Sequence, residues 1–368
     1  MRTTLITVLT LMSFHLFAQN NNERKIVFPD IPGYKTLICD FHQHTVFSDG
    51  SVWPSIRVQE AIKDGLDAIS LTDHLEYQPY SKDIPHPDRN RPYQIAKEAA
   101  KNKNLIVING AEITRSMPPG HNNALFLKDV NKLLIDDSVK VFKQAKEQDA
   151  FVFWNHPHWT NQTPDGIAKL TETHKYLLKK GLINGIEVVN TNTYSDEALQ
   201  IALDYNLTIM GSTDIHSLID WQYDIPHGGH RPVTIVFAKE KSEASIKDAL
   251  NNRRTVVWFK NSLIGRSEYL VPLIEQSLIV SKVTYKPKTT VLAVTIENRS
   301  DVDYIIENQS KYTLHNMGDV FTIKANESIR LDVKTIDKLN NMELKFMILN
   351  AITAPKTHPE IIIPVKVN

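Results

Sequence analysis

Histidines and carboxylates gather at five points along this chain, each just beyond an apolar, strand-like run. The first point, Asp40-Phe41-His42-Gln43-His44 with Asp49 a little further on, follows residues 35–39. Side chains alternate faces along extended chain, so His42 and His44 point the same way. They can offer two imidazoles to one divalent ion, with Asp49 as a further ligand. The second point, Thr72-Asp73-His74, follows residues 67–71, and the third sets Glu112 and then His121 beyond residues 105–109. The fourth is Asn155-His156-Pro157-His158-Trp159 after residues 151–154. The fifth is Asp214-Ile215-His216 after residues 208–210. Imidazole and carboxylate together suit zinc, iron or manganese. A single His-x-His is a weak signal, because neighbouring surface histidines are common. Five separate strand ends, each carrying His, Asp or Glu, are hard to explain as scatter.

Something must bring these points together. Apolar runs at 36–39, 68–71, 105–108, 124–127, 150–154, 185–189, 208–210 and 233–237 alternate with helix-patterned stretches at 52–64, 92–101, 135–148, 167–180 and 196–205. That alternation predicts an α/β domain over residues 36–265: a parallel sheet, most simply a barrel, with helices outside. In such a barrel the C-terminal strand ends converge on one mouth, where active sites form. From residue 281 to 368 the pattern changes to short alternating runs separated by polar turns, which predicts a small antiparallel β-sandwich.

Residues 1–19, with Arg2 before a mostly apolar run and Ala18 near its end, read as a secretory signal peptide too short to span a bilayer, and residues 20–35 as a linker. Cys39 is the one cysteine, so no internal disulfide can form, and a secreted or periplasmic chain without a disulfide framework must rely on its core. The 42 basic side chains balance 42 acidic ones, so no bulk charge favours nucleic acid or an anionic membrane as partner. No membrane span is expected, and no oligomeric state is indicated.

The set His42-x-His44, Thr72-Asp73-His74, Glu112, His121, Asn155-His156-Pro157 and Asp214-x-His216 resembles the polymerase-and-histidinol-phosphatase (PHP) superfamily over about residues 36–262. More narrowly, the chain resembles the secreted PHP phosphodiesterases that carry a small immunoglobulin-like (Ig-like) C-terminal domain. Over the tail that resemblance rests on β character alone. It implies a distorted (β/α)7 barrel and up to three divalent ions, manganese, zinc or iron. Carried over residue by residue, it implies that His42, His44, Glu112 and Asp214 hold a first ion. Glu112, His121 and His156 hold a second, and Asp49, His74 and His216 a third. Many family members have histidine where this chain has Asp49, which implies a more weakly held third ion.

Clustered divalent ions suit phosphoryl transfer, because they acidify water and neutralise phosphate oxygens. The displacement also needs a leaving-group acid and a cation for the remaining oxygens. His158, two residues from His156, is the candidate acid, with a supporting hydrogen bond as its alternative role. Arg115, three residues after Glu112, is a candidate phosphate fork. His230 and Arg231 are further candidates, although they precede the run 233–237. That places them at the wrong end of a parallel strand unless residues 217–232 fold over the mouth as a lid. Asp73 is expected to orient a neighbour, and Asn190, Asn155 and Thr213 to face the mouth. Trp154, Trp159 and Trp221 could wall an organic leaving group, and Arg253-Arg254 reads as a solvated helix end. The expected activity is hydrolysis of a small-molecule phosphodiester by a metal-activated water at a trinuclear site. The alternatives are a phosphomonoesterase of histidinol-phosphatase type and a non-catalytic metal-binding barrel.

Overall fold

The computed structural model describes residues 24–367, so the signal-peptide expectation lies outside the described residues. The first half-turn of the barrel is β1 (Lys35–Asp40), α1 (Pro54–Lys63), β2 (Ala68–Leu71), α2 (Arg91–Ala99) and β3 (Ile106–Ile113). Then come β4 (Asn122–Leu125), α3 (Lys140–Glu147), β5 (Phe151–Trp154), α4 (Glu172–Lys179), β6 (Gly185–Asn190) and the short β7 (Thr193–Tyr194). The barrel finishes with α5 (Asp196–Asp204), β8 (Thr208–Ser212), α6 (Ile219–Tyr223), β9 (Val233–Ala238), α7 (Glu243–Asn251) and the hairpin of β10 (Thr255–Phe259) with β11 (Ser262–Gly265). The helices start where local chemistry tells them to. Pro54 and Pro92 occupy the first turns of α1 and α2, and Thr171, Ser195 and Ser242 cap α4, α5 and α7 with side-chain oxygens.

The expected all-parallel sheet is broken: besides the short hairpin strands β7 and β11, which run against β6 and β10, two strands within it are reversed. β4 lies antiparallel between β3 and β5, and β9 lies antiparallel between β1 and β10. The strands β1, β2, β3, β5, β6, β8 and β10 all run the same way. The curled sheet is drawn closed between β8 and the β9–β10 pair by threonine hydroxyls. Thr234 Oγ1 accepts from Gly211 N at 3.0 Å and donates to Gly211 O at 2.8 Å, and Thr255 Oγ1 donates to Ile209 O at 2.8 Å. Gly211 permits this approach, since a Cβ there would lie 2.3 Å from Val257 Cγ1.

The reversed β9 has a direct consequence. Its start sits beside the end of β1, with Thr234 opposite Cys39, so Arg231 lies on the mouth side after all. Residues 217–232 do not form a free lid. Ile219, Tyr223 and Ile225 pack with Ile215, and Ile219 N donates to Glu60 Oε1 at 2.9 Å.

The tail opens with a helix that local pattern did not predict, α8 (Ser267–Ser277). After it come β12 (Leu278–Tyr285), β13 (Val291–Asn298), β14 (Tyr304–Asn308), β15 (Val320–Ile323), β16 (Ser328–Lys334), β17 (Asn341–Ile348), β18 (Ala351–Ile352) and β19 (Glu360–Lys366). They form two antiparallel sheets, β12-β13-β16 and β15-β14-β17-β19. The exception is β18, which pairs with β11 and extends the barrel's own sheet. One apolar core runs through both parts, joining Ile235, Trp258 and Leu263 to Leu270, Ile274, Leu292, Phe346 and Val365. The expected linker is also packed from Arg24 onward. Arg24 donates to Gly229 O at 2.7 Å, Phe28 meets Trp258 edge-on, and Val27 exchanges hydrogen bonds with Asp301 in the tail. Arg254 is buried rather than solvated, its Nε donating to Phe237 O.

Candidate metal centre

The ends of β1, β2, β5 and β8 deliver their side chains to one point, and β3 delivers Glu112 from within the strand. Two isolated bridges, Gln43 with Ile215 and His74 with Glu112, continue the pairing past the strand ends and fix their spacing. His121 arrives differently, from the start of antiparallel β4, which opens on the same mouth. His42, His44, Asp49, His74, Glu112, His121, His156, Asp214 and His216 all fall into overlapping groups whose ligand atoms lie within 4.8 Å of one another.

The densest point has His42 Nε2 and His44 Nε2 3.1 Å apart. Asp214 Oδ1 stands 3.1 and 3.0 Å from those two nitrogens, and Glu112 Oε2 stands 3.2 Å from each. Glu112 Oε1 lies 2.6 Å from His121 Nδ1, and His156 Nε2 lies 3.9 Å from Asp214 Oδ2. Asp49 Oδ1 lies 3.2 Å from His216 Nε2 and 3.5 Å from His74 Nε2. It is buried with no hydrogen-bond partner. Two imidazole nitrogens and two carboxylates converging on one point, with an orphaned carboxylate oxygen beside them, fit divalent cations.

The electrostatics agree. Burial opposes charge on His42, yet the Asp214 and Glu187 carboxylates outweigh it and raise its pKa well above the ordinary histidine value. Burial is likewise overcome at His74, where Glu112 and Asp49 lift the pKa to about 9. Burial works to raise Glu112, Asp214 and Asp49, but neighbouring histidines hold all three below the usual carboxylate range. His156 is governed by burial itself, which pushes it down to about 4 and keeps it neutral. Protons on histidine thus offset the carboxylates here, and cations would do so instead, releasing those protons.

His156 (φ 29°) and Asp214 (φ 52°) both hold backbone in the left-handed region that non-glycine residues avoid. The surrounding bonds sustain them. Arg57, fully buried, donates to the carbonyls of His44, Ile215 and Ser217 and so ties two ligand loops together. Asp73 accepts from Thr45 N, Thr45 Oγ1 and Ser48 Oγ, the orienting role its position suggested. Asn155 and Asn123 bond each other, and Thr213 Oγ1 donates to Asp40 Oδ2.

The remaining sequence candidates scatter. His158 Nε2 lies 2.8 Å from Thr193 Oγ1, whose own proton goes to Asn190 O, so His158 donates from Nε2. Its Nδ1 is left open, and burial lowers its pKa. Arg115 is engaged by Glu76 at 2.8 Å and by Ile135 O. Arg231 is buried between Asp64 at 2.7 Å and Asp40 at 3.3 Å. His230 stacks on Trp258 at 3.7 Å and bonds two backbone carbonyls, outside the cluster. Trp159, 40% exposed, stands 5.1 Å from the His156 ring and 5.6 Å from that of His121, so it borders the mouth. Trp154 instead stacks in the interior on His174, and Trp221 is 77% exposed in the 217–232 loop. Sequence reasoning passed over Arg57 and Glu187. The signal for Glu187 was present, a lone acid inside the otherwise apolar run 185–189.

Among the described residues no helix is long and apolar enough to cross a membrane. Residues 40–221 match the PHP domain family model, and residues 278–364 match an Ig-like domain model. A solved structure from Bacteroides vulgatus, named as a two-domain protein containing a predicted PHP-like metal-dependent phosphoesterase, is 41% identical. It superimposes with a TM-score of 0.88, covering 93% of this chain and 99% of that one. An uncharacterized protein of Methanocaldococcus jannaschii is 40% identical over 82 residues, 22% of this chain and 34% of that protein's length. The chain therefore spans about a third of that curated relative.

Proposed function

This chain belongs to the PHP family, with an Ig-like domain behind its barrel, and on that premise we propose that it is an exported metal-dependent phosphodiesterase. The observation that carries the proposal is the convergence of His42 Nε2, His44 Nε2, Glu112 Oε2 and Asp214 Oδ1 on one point, with the other five side chains around it. His42, His44, Glu112 and Asp214 would hold one ion, Glu112, His121 and His156 a second, and Asp49, His74 and His216 a third. When bound, such ions polarise a phosphate oxygen and acidify water near neutral pH. The family-level name of the Bacteroides neighbour, a phosphoesterase, agrees with that chemistry.

The chain's own residues favour a diester. The two arginine candidates for gripping a dianionic monoester head are both held in ion pairs, Arg115 with Glu76 and Arg231 with Asp40 and Asp64. A diester carries one charge and needs no such fork. In its neutral form His158 offers an acceptor, and a general-acid role would require the imidazolium that burial disfavours. Trp159 supplies an apolar wall beside His121 and His156 for an ester group.

The test compares bis(p-nitrophenyl) phosphate with p-nitrophenyl phosphate on the mature protein with added manganese or zinc. A higher kcat/KM for the diester is expected. A preference for the monoester would contradict the proposal.

A further inference from the structure

We infer that Glu187, a carboxylate outside the proposed ligand set, is the positioning residue that fixes His42 and His156 as metal ligands. The inference rests on the metal-centre reading above. Glu187 sits in the middle of β6, fully buried, between the apolar residues Ile186 and Val188. A carboxylate in such a strand is costly unless donors fill its lone pairs. They are filled, and the donors come from the strand ends that build the site. Oε1 accepts from His42 Nδ1 at 2.8 Å and from the Ser212 hydroxyl. Oε2 accepts from the main-chain N–H of His156 at 2.7 Å and from Asn190 Nδ2 at 2.9 Å.

Each bond has a consequence for coordination. A carboxylate can only accept, so the proton of His42 is held on Nδ1. Nε2 faces Glu112 and Asp214, so an ion that displaces its proton there would meet the Nε2 lone pair. The bond to His156 N holds that residue in its left-handed backbone, which sets the direction of its ring. Asn190 extends the arrangement, since its Nδ2 also lies 3.4 Å from Asp214 Oδ2. One side chain therefore governs the ends of β1 and β5, and through Asn190 and Ser212 it reaches the end of β8.

A neutral amide cannot replace it. Glutamine placed with its amide nitrogen toward His42 sets donor against donor and drives the ring proton to Nε2, which blocks the ligand atom. Placed the other way round, it sets the amide nitrogen against His156 N–H and Asn190 Nδ2. Both orientations spoil one ligand, while the change also removes a buried charge.

The experiment measures manganese and zinc affinity by calorimetry for wild type, Glu187→Gln and Ser212→Ala. Thermal melts of each are taken with and without metal. The expected result for E187Q is a metal-free Tm lowered by the loss of a buried charge, metal affinity weakened by about 10- to 100-fold, and a metal-induced rise in Tm smaller than that of wild type. S212A, which removes one of four donors, keeps affinity within about threefold of wild type on the same scale. A folded E187Q that binds metal as tightly as wild type would overturn the assignment. Should E187Q not fold, nitrogen NMR of zinc-loaded wild type labelled at histidine decides instead. His42 bound through Nε2 with Nδ1 protonated supports the assignment, and His42 bound through Nδ1 refutes it. Wild-type protein that takes up no metal would overturn the metal-centre reading as well, a result distinct from the other two.

Discussion

Replacing Arg231 with methionine separates a substrate clamp from a buried structural cation. Its side chain is 1% exposed, with Nε 2.7 Å from Asp64 Oδ2 and Nη1 3.3 Å from Asp40 Oδ2. Both carboxylates are as deeply buried as their partner. Removing one member of a buried ion pair costs about 3–5 kcal/mol, because the partners stay behind without compensation. Unfolding entropy of about 2.1 cal/mol/K per residue over roughly 340 residues gives about 0.7 kcal/mol/K, so Tm should fall by about 4–7 °C. The second prediction is kinetic. Arg231 is held by Asp64 and Asp40 and its unpartnered Nη2 is buried, so KM for the diester at saturating metal should stay within about twofold, too small a change for a lost charge-assisted contact. Thermal melts and Michaelis kinetics on Arg231→Met, run well below its Tm, read both quantities. An unchanged Tm with KM raised tenfold or more would refute the structural assignment and restore the clamp.

The His174 ring, stacked on Trp154 and donating from Nε2 to Pro119 O, has its pKa pushed by burial down to about 4 from an ordinary value of 6.5. The unfolded chain then holds the extra proton between those values, so stability falls as pH drops through 6.5 toward 4. At pH 4.5 the loss attributable to this ring is about 2.5 kcal/mol. Urea unfolding of His174→Gln at pH 7 and 4.5 should show a pH dependence flatter by that amount, and an equally steep one would contradict it. His158→Gln should lower kcat by less than about tenfold and leave the shape of the pH profile unchanged, whereas loss of a true general acid costs about 10²–10⁴. A chain ending after Ser277 loses β18 from the barrel sheet and the tail half of the shared core. It should fail to give a cooperative melt, and a soluble, metal-binding barrel from that truncation would show that the two parts fold independently.

Legibility in the sequence followed how local the determining physics is. Strand ends at His42, His74, His156 and Asp214 could be read because short apolar runs and their polar exits are local features. The helices α1 to α5 were placed to within several residues, with α3 and α4 shorter than their patterns at residues 135–148 and 167–180, whereas α6 and α7 were not anticipated. What escaped depends on pairing across the chain. The antiparallel sense of β9 cannot be read from 233–237, and with it went the true position of Arg231. Glu187 looked like one polar residue in a buried strand, since its partners His42 and His156 lie far away in sequence. The packed segment from Arg24, the helix α8 and the exchange strand β18 owe their form to a core shared with the other domain, which no local periodicity records.

The central claim, that the nine convergent side chains hold catalytic divalent ions, is tested most directly by counting metal. Elemental analysis of purified wild type and Glu112→Ala would be paired with hydrolysis of bis(p-nitrophenyl) phosphate before chelation, after it, and after metal is restored. Glu112 stands in two of the ligand groups, beside His42 and beside His121. Wild type should carry more than one divalent ion per chain, lose hydrolysis on chelation and regain it with manganese or zinc, while Glu112→Ala should carry fewer ions and stay inactive. Hydrolysis that survives complete removal of metal, or a fully loaded Glu112→Ala, would contradict the account.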